Sequence, residues 1–234
     1  MRGIFQGVLR FINYKPHKKY NVKTILKEGS VFEANCWILS EILLDRVIPK
    51  IGIRPYPLNE QMLMAAAVAF VQPKIIIEWG THVGKSARLF WEVKEALGLN
   101  CQIYTIDSMN PDHPEFPGAA RGRYLSNTEV KQIVGDGAEI ANKLLEDSLE
   151  PNPVLVYVDG EHSREAVKRD LTIWDKLSSG SGILVHDVFY QIPSSYNIEP
   201  WQSVQELLQE QKLNISQVQW QLLGLPGMVF VSKK

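Results

Sequence analysis

The chain has few cysteines, no long hydrophobic run and almost no net charge. Its two cysteines among 234 residues, Cys36 and Cys101, stand in no motif spacing. That excludes a disulfide scaffold and a cysteine-based zinc module. With no secretory signal at its start, they read as reduced thiols of a cytoplasmic protein. The longest unbroken apolar run, Met62 to Val71, is too short to span a bilayer and reads as a buried helix. A formal net charge of −1 argues against a dedicated nucleic-acid binder. There is no internal repeat and no low-complexity tract, which excludes solenoids and extended disorder.

What is there is ordinary globular composition, 45% hydrophobic and 22% charged, in a chain long enough to bury a sizeable core. The charge is uneven at the start: Arg2, Arg10, Lys15, Lys18, Lys19, Lys23 and Lys27 all precede the first acid, Glu28. Within residues 1–14, Ile4, Phe5, Val8, Leu9 and Ile12 fall on one helical stripe. Such a stripe packs on its own domain or on a partner subunit; contact with a membrane surface is the lesser reading.

Residues 1–72 read as a helical N-terminal extension, a lid or a dimer arm, with helices over 3–13, 31–47 and 58–71. From residue 73 to 234 the pattern alternates. Lys74–Trp79, Gln102–Asp107, Lys131–Gly135, Val154–Asp159 and Gly182–Asp187 are short and nearly continuous in apolar residues, as strands buried on both faces of a parallel sheet are. Helical spacing lies between them, near 85–98, 137–148 and 163–178. The alternation predicts an α/β, doubly wound, Rossmann-like sheet. Val218–Leu223 and Met228–Ser232 are joined only by Gly224-Leu225-Pro226-Gly227, so they form an antiparallel hairpin and bring the strands to seven, mostly parallel.

Ligands of open parallel sheets bind beyond the carboxyl ends of the strands. Those ends hold Glu78, Asp107, Asp136, Asp159 and His186-Asp187, a set suited to hydroxyls, amines or positive charge rather than a polyphosphate. The loop Gly80-Thr81-His82-Val83-Gly84-Lys85-Ser86 approaches a phosphate-binding P-loop but has three residues between its glycines where four are needed, and Glu78 adds an anion. The dinucleotide pattern fails too, because His82 and Lys85 stand where glycines would be required.

What fits is E-x-G-x-x-x-G, which resembles the first motif of class I S-adenosylmethionine-dependent methyltransferases. The resemblance implies that Glu78, Gly80, Thr81, Gly84 and Ser86 line the cofactor, that Asp107 holds its ribose, and that Asp136, in Gly135-Asp136-Gly137, lies on its adenine side. The terminal hairpin is also that family's habit. Three phrases are similar to a narrower group of small-molecule O-methyltransferases related to macrocin O-methyltransferase and the cephalosporin hydroxylase-like proteins. They are Glu78-Trp79-Gly80-Thr81 with Gly84-Lys85-Ser86, Val158-Asp159-Gly160-Glu161-His162 with Asp170, and Gly182-Ile183-Leu184-Val185-His186-Asp187-Val188. Trp79 departs from the small aliphatic residue usual there.

Methyl transfer to oxygen needs an aligned acceptor and a base. Asp159, His162 and Asp187 are the catalytic candidates, with Asp159 also at the cofactor. The resemblance implies that Asp159 and Asp187 match a carboxylate pair that holds a divalent ion, Mg²⁺ or another, in metal-dependent relatives. His186 beside them shifts the donor set toward a transition metal; as a core histidine it would instead take a backbone partner. His162 also has a plain structural reading, as part of a helix start at Ser163. The acceptor walls fall at 108–124, with Met109, His113, Phe116, Arg121, Arg123 and Tyr124, and at 188–200, with Phe189, Tyr190, Tyr196 and nearby Trp201. They suit a sugar, a phenol or another hydroxylated small molecule. A nucleotide-binding P-loop protein and a non-catalytic cofactor-fold binder are the competing readings, and a homodimer is the expected assembly.

Overall fold

A computed structural model describes residues 37–108, 121–146, 152–189, 198–210, 218–224 and 226–233. The amphipathic stripe of residues 1–14, Cys36, and wall residues Met109, His113, Phe116, Tyr190 and Tyr196 lie outside them.

The described chain opens with α1 (Trp37–Ile42), a π-helical turn (Leu43–Val47) and α2 (Ile48–Ile51). Pro49, in the first turn of α2, lacks an N–H, which fits the loosened winding just before it. Next comes α3 (Leu58–Val71), buried along almost its whole length, then β1 (Ile75–Trp79), α4 (Lys85–Leu97) and β2 (Gln102–Asp107). β3 (Lys131–Val134), α5 (Gly137–Glu146), β4 (Val154–Val158) and α6 (Arg164–Leu171) follow. The chain continues through a 3₁₀ turn (Thr172–Lys176), β5 (Gly182–His186), α7 (Glu199–Glu210), β6 (Val218–Gly224) and β7 (Gly227–Lys233).

The strands form one mixed sheet in the order β3-β2-β1-β4-β5-β7-β6. β1 to β5 run parallel, and β7 runs antiparallel to both β5 and β6. The reversal between β1 and its neighbours β2 and β4 is the switch point at which such sheets bind ligands. The central strands alternate between two cores. Ile76, Ile103, Leu155, Tyr157, Leu184 and Phe230 pack with α3 and α4, while Ile77, Ile106, Val156, Val158, Val185 and Val229 pack with α5, α6 and α7. At about 25 cal/mol per Å² of apolar surface, these two layers are the main source of stability.

Three details differ from the sequence reading. The helix placed at 163–178 is α-helical only to Leu171 and ends in the 3₁₀ turn. The helix placed to 47 continues to Ile51. Residues 58–71, placed in an N-terminal extension, lie directly on the sheet, with Leu63, Met64, Ala65 and Val68 in the same core as Leu184 and Phe230. Among the described residues, no helix is long and apolar enough to cross a membrane.

Candidate active site

The glycine loop is set by close approach of backbone to backbone. Gly80 has φ +95°, and a Cβ there would stand 2.1 Å from the Asp159 carbonyl oxygen. Only glycine lets β1 leave the sheet against the end of β4. Gly80 N–H donates to Ile106 O at 2.8 Å, and Asp159 N–H donates to Trp79 O at 3.1 Å. Gly84 N–H closes the turn on Thr81 O at 2.7 Å, and Gly84 itself, at φ +85°, starts α4. The 3₁₀ segment Arg123–Leu125 braces the outside: Gly122 and Tyr124 donate to the carbonyls of His82 and Val83 at 2.8 and 3.0 Å.

Glu78 is fully buried, and neither carboxylate oxygen has a hydrogen-bond partner of normal geometry among the described residues. Burial pushes its acid up to about 8, and the hydroxyls of Ser86 and Thr105 offset only part of that. Thr81 Oγ1 meets Thr105 Oγ1 at 2.8 Å, both buried. Asp107 Oδ2 accepts from His82 N–H at 3.1 Å and faces Arg121 Nε at 3.1 Å. Thus Glu78, Gly80, Thr81, Gly84, Ser86 and Asp107 come together around one loop.

Asp136 is engaged within its own turn and with α6. Its Oδ1 accepts from Glu139 N–H at 2.9 Å and caps α5, and Arg169 lies 3.7 Å from Oδ2. The reason for the adjacent glycine lies elsewhere: a Cβ on Gly137 would fall 1.6 Å from Trp79 Cδ1. The bulky residue after Glu78 is therefore matched by a glycine on another strand's loop. Trp79 is 4% exposed, and its Nε1 has no hydrogen-bond partner among the described residues.

Lys85, which a P-loop would aim at phosphate, donates to Arg54 O at 2.5 Å and lies over the Tyr124 ring, 5.2 Å from its centre. Its ammonium is already committed on the α2–α3 side.

The second cluster forms beyond β4 and β5. Asp187, directly after β5, has φ +56°, a left-handed backbone that an aspartate adopts at a cost of about 1 kcal/mol or more. Asp159, His186 and Asp187 each offer one ligand atom, all within 4.8 Å of one another. His186 Nδ1 lies 3.0 Å from Asp159 Oδ1 and 3.3 Å from Asp187 Oδ2. His162 Nε2 lies 3.2 Å from Asp187 Oδ2 and 3.9 Å from Asp159 Oδ1. The helix-capping role considered for His162 belongs to Ser163, whose hydroxyl accepts from Ala166 N–H.

Sequence reasoning missed three contributing side chains. Tyr56 Oη donates to Asp159 Oδ2 at 2.7 Å and Tyr157 Oη does so at 3.1 Å. Glu60, fully buried on α3, places Oε2 3.0 Å from His186 Nε2, while its Oε1 accepts from Gly227 N–H at 3.0 Å. The partners of the His186 ring are therefore carboxylates, not the backbone group expected of a core histidine. The one local sign was polar Glu60-Gln61 opening the otherwise apolar stretch to Val71.

The electrostatics follow from this crowding. Burial opposes ionisation of Asp159, but His186, His162 and Tyr56 overcome it and hold the carboxyl well below its usual range. Hydrogen bonding to Asp159 raises the proton affinity of His162. Burial opposes charge on His186, yet Asp159, Asp187 and Glu60 raise its proton affinity well above that of a free imidazole. The cluster is anionic and attracts positive charge.

Residues 77–188 match the family described as "Methyltransferase domain". An uncharacterised protein of Sinorhizobium fredii is 32% identical over 123 residues, which are 50% of this chain and 13% of that protein. Among solved structures, a Podospora anserina methyltransferase bound to SAH has a TM-score of 0.53 at 19% identity, covering 86% of this chain and 89% of that one. The Bacillus cereus O-methyltransferase in complex with SAH gives 0.53 at 15% identity over 91% and 95%. The Streptomyces achromogenes O-methyltransferase involved in tomaymycin synthesis, in complex with SAM, gives 0.55 at 16% over 92% and 97%. At these identities the likeness is one of fold.

Proposed function

We propose that this chain, a class I methyltransferase in its fold and in the family that residues 77–188 match, uses S-adenosylmethionine to methylate a hydroxyl oxygen of a small molecule. The observation that carries the reading is the loop after β1. Gly80 lets the loop close against the end of β4 as no other residue would, and beside it the buried carboxylate of Glu78 meets only the hydroxyls of Ser86 and Thr105 among the described residues. A cofactor with an ammonium and a sulfonium satisfies such a carboxylate; a polyphosphate does not. Glu78, Gly80, Thr81, Gly84, Ser86 and Asp107 would hold it, with Asp136 and Asp159 at the edges of the same site.

Bound there, the cofactor supplies an electrophilic methyl group. The chain's own part is alignment and proton transfer. Asp159 and Asp187 hold the acceptor at the β4 and β5 ends, with Tyr56 and Tyr157 fixing the orientation of Asp159. His162, partly exposed and 3.2 Å from Asp187, would take the proton of the acceptor hydroxyl. Asp159 and Asp187 are also the carboxylates that would hold a divalent ion. The acceptor is a sugar, a phenol or another hydroxylated small molecule, the chemistry suited by Arg121, Arg123, Tyr124, Phe189 and Trp201 in or beside the two candidate wall segments.

The test is calorimetric titration of the full chain with S-adenosylhomocysteine and, separately, with ATP. Saturable binding of the first, weakened at least tenfold by Asp107→Ala, is the expected result. Binding of ATP alone would overturn the reading.

A further inference from the structure

Arg121 stands in the first candidate wall segment, yet its side chain reaches back to the end of β2. Its Nε lies 3.1 Å from Asp107 Oδ2, and its Nη1 donates to Ser108 O at 3.0 Å. One guanidinium thus meets a carboxylate and the next residue's carbonyl at once. A rigid fork of donors allows this, and an ammonium on a flexible stem reproduces it poorly.

These contacts close a ring. Asp107 Oδ2 also accepts from His82 N–H at 3.1 Å, and His82 O accepts from the N–H of Gly122, the residue after Arg121, at 2.8 Å. His82 itself has φ +43°, a left-handed backbone that persists where its surroundings over-determine it. The glycine loop, the acid of β2 and Arg121 therefore hold one another in a single arrangement. The ring also orients Asp107. Oδ2 faces both His82 and Arg121, while Oδ1 takes no hydrogen bond among the described residues and is left for a ligand. Ribose is neutral, so a carboxylate covered by it keeps its charge, and a guanidinium at its back supplies the counter-charge.

We propose that Arg121 is a positioning residue of the cofactor site, which fixes the Asp107 carboxylate with Oδ1 toward a ribose hydroxyl and balances its charge there. The proposal rests on the S-adenosylmethionine reading and gives a residue of the candidate acceptor wall a part on the cofactor side. Arg121 acts through Asp107, and its effect falls on the recognition of the ribose hydroxyls.

The experiment is calorimetric titration of the full-length chain with S-adenosylhomocysteine, with adenosine and dideoxyadenosine, which lacks both hydroxyls of the ribose edge, as competitors. The unaltered chain should bind S-adenosylhomocysteine and prefer adenosine over dideoxyadenosine at least tenfold. Arg121→Ala should weaken S-adenosylhomocysteine about tenfold and shrink that preference to within about threefold. Arg121→Lys, which keeps the charge but not the fork, should fall between the two. In an Asp107→Ala background, Arg121→Ala should add no more than about a twofold loss, because the residue it acts through is gone. A merely structural role would weaken both nucleosides alike and persist in that background. Either of those results, no preference between the nucleosides in the unaltered chain, or an Arg121→Ala chain that binds as the unaltered one does, would overturn the proposal and leave the cofactor reading standing. Failure of the unaltered chain to bind S-adenosylhomocysteine would sink both.

Discussion

At the β1–β2 end of the sheet the site is assembled from backbone. Gly80, Gly84, Gly122 and Tyr124 tie residues 80–84 down through their N–H groups. At the β4–β5 end it is assembled from side chains brought from far away: Tyr56 reaches Asp159 across 103 positions and Glu60 reaches His186 across 126. The first half is stiff because a peptide group has few alternatives once a glycine allows the approach. The second half balances charges, and every member depends on partners that another element supplies. The backbone half should therefore fail all at once when one Cβ is added, while the side-chain half should degrade stepwise.

The largest expected effect is that of Gly80→Ala. The added Cβ would fall 2.1 Å from a backbone oxygen, so we expect a loss of about 3 kcal/mol of stability and no detectable S-adenosylhomocysteine binding. Thermal unfolding and calorimetry check both; a folded, binding-competent variant would break the contrast between the halves.

Next is the pH dependence of Glu78. Its folded-state acid lies at about 8, above its ordinary 4.5. The folded chain holds that proton more tightly than the unfolded one, so this stabilisation is complete below about pH 4.5 and fades as the pH rises toward 8. Glu78→Gln, neutral at every pH, should lose less stability across that window, by an amount on the order of a few kcal/mol. Parallel denaturation curves for the two proteins at pH 5 and 8 would contradict this.

Tyr56→Phe removes one 2.7 Å hydrogen bond to Asp159 and should destabilise by about 1 kcal/mol, with S-adenosylhomocysteine affinity unchanged within about twofold. A larger loss of cofactor affinity would mean that the halves are coupled. The smallest effect is that of Lys85→Ala. Among the described residues its ammonium meets Arg54 O and the Tyr124 ring, so stability should fall by about 0.5 kcal/mol and S-adenosylhomocysteine should bind as before. A P-loop lysine would behave in the opposite way, its loss abolishing nucleotide binding.

The strands, their order of appearance and the closing hairpin were legible because apolar runs bounded by glycine, proline and acids can hardly be anything but buried strands. That Asp159, His162 and Asp187 share one edge was legible because they follow such strands closely, and the sheet's direction alone puts them there. The cofactor role of Asp136 rests on resemblance, and its carboxylate caps α5. The room for Trp79 comes from Gly137, which lies against its ring. Tyr56 and Glu60 carried no recognisable pattern, since nothing in a helix start announces which strand end it will face.

The sequence by itself determined the alternation of strand and helix, the glycine loop and the acids that follow each strand, because periodicity, turn chemistry and strand direction are local properties. Only the tertiary structure decided that α3 lies over β4, β5 and β7, that Glu60 meets His186, and that Trp79 and Gly137 share one space. Those contacts join segments far apart in the chain, and their energies depend on burial and charge that exist only once the two layers have closed on the sheet.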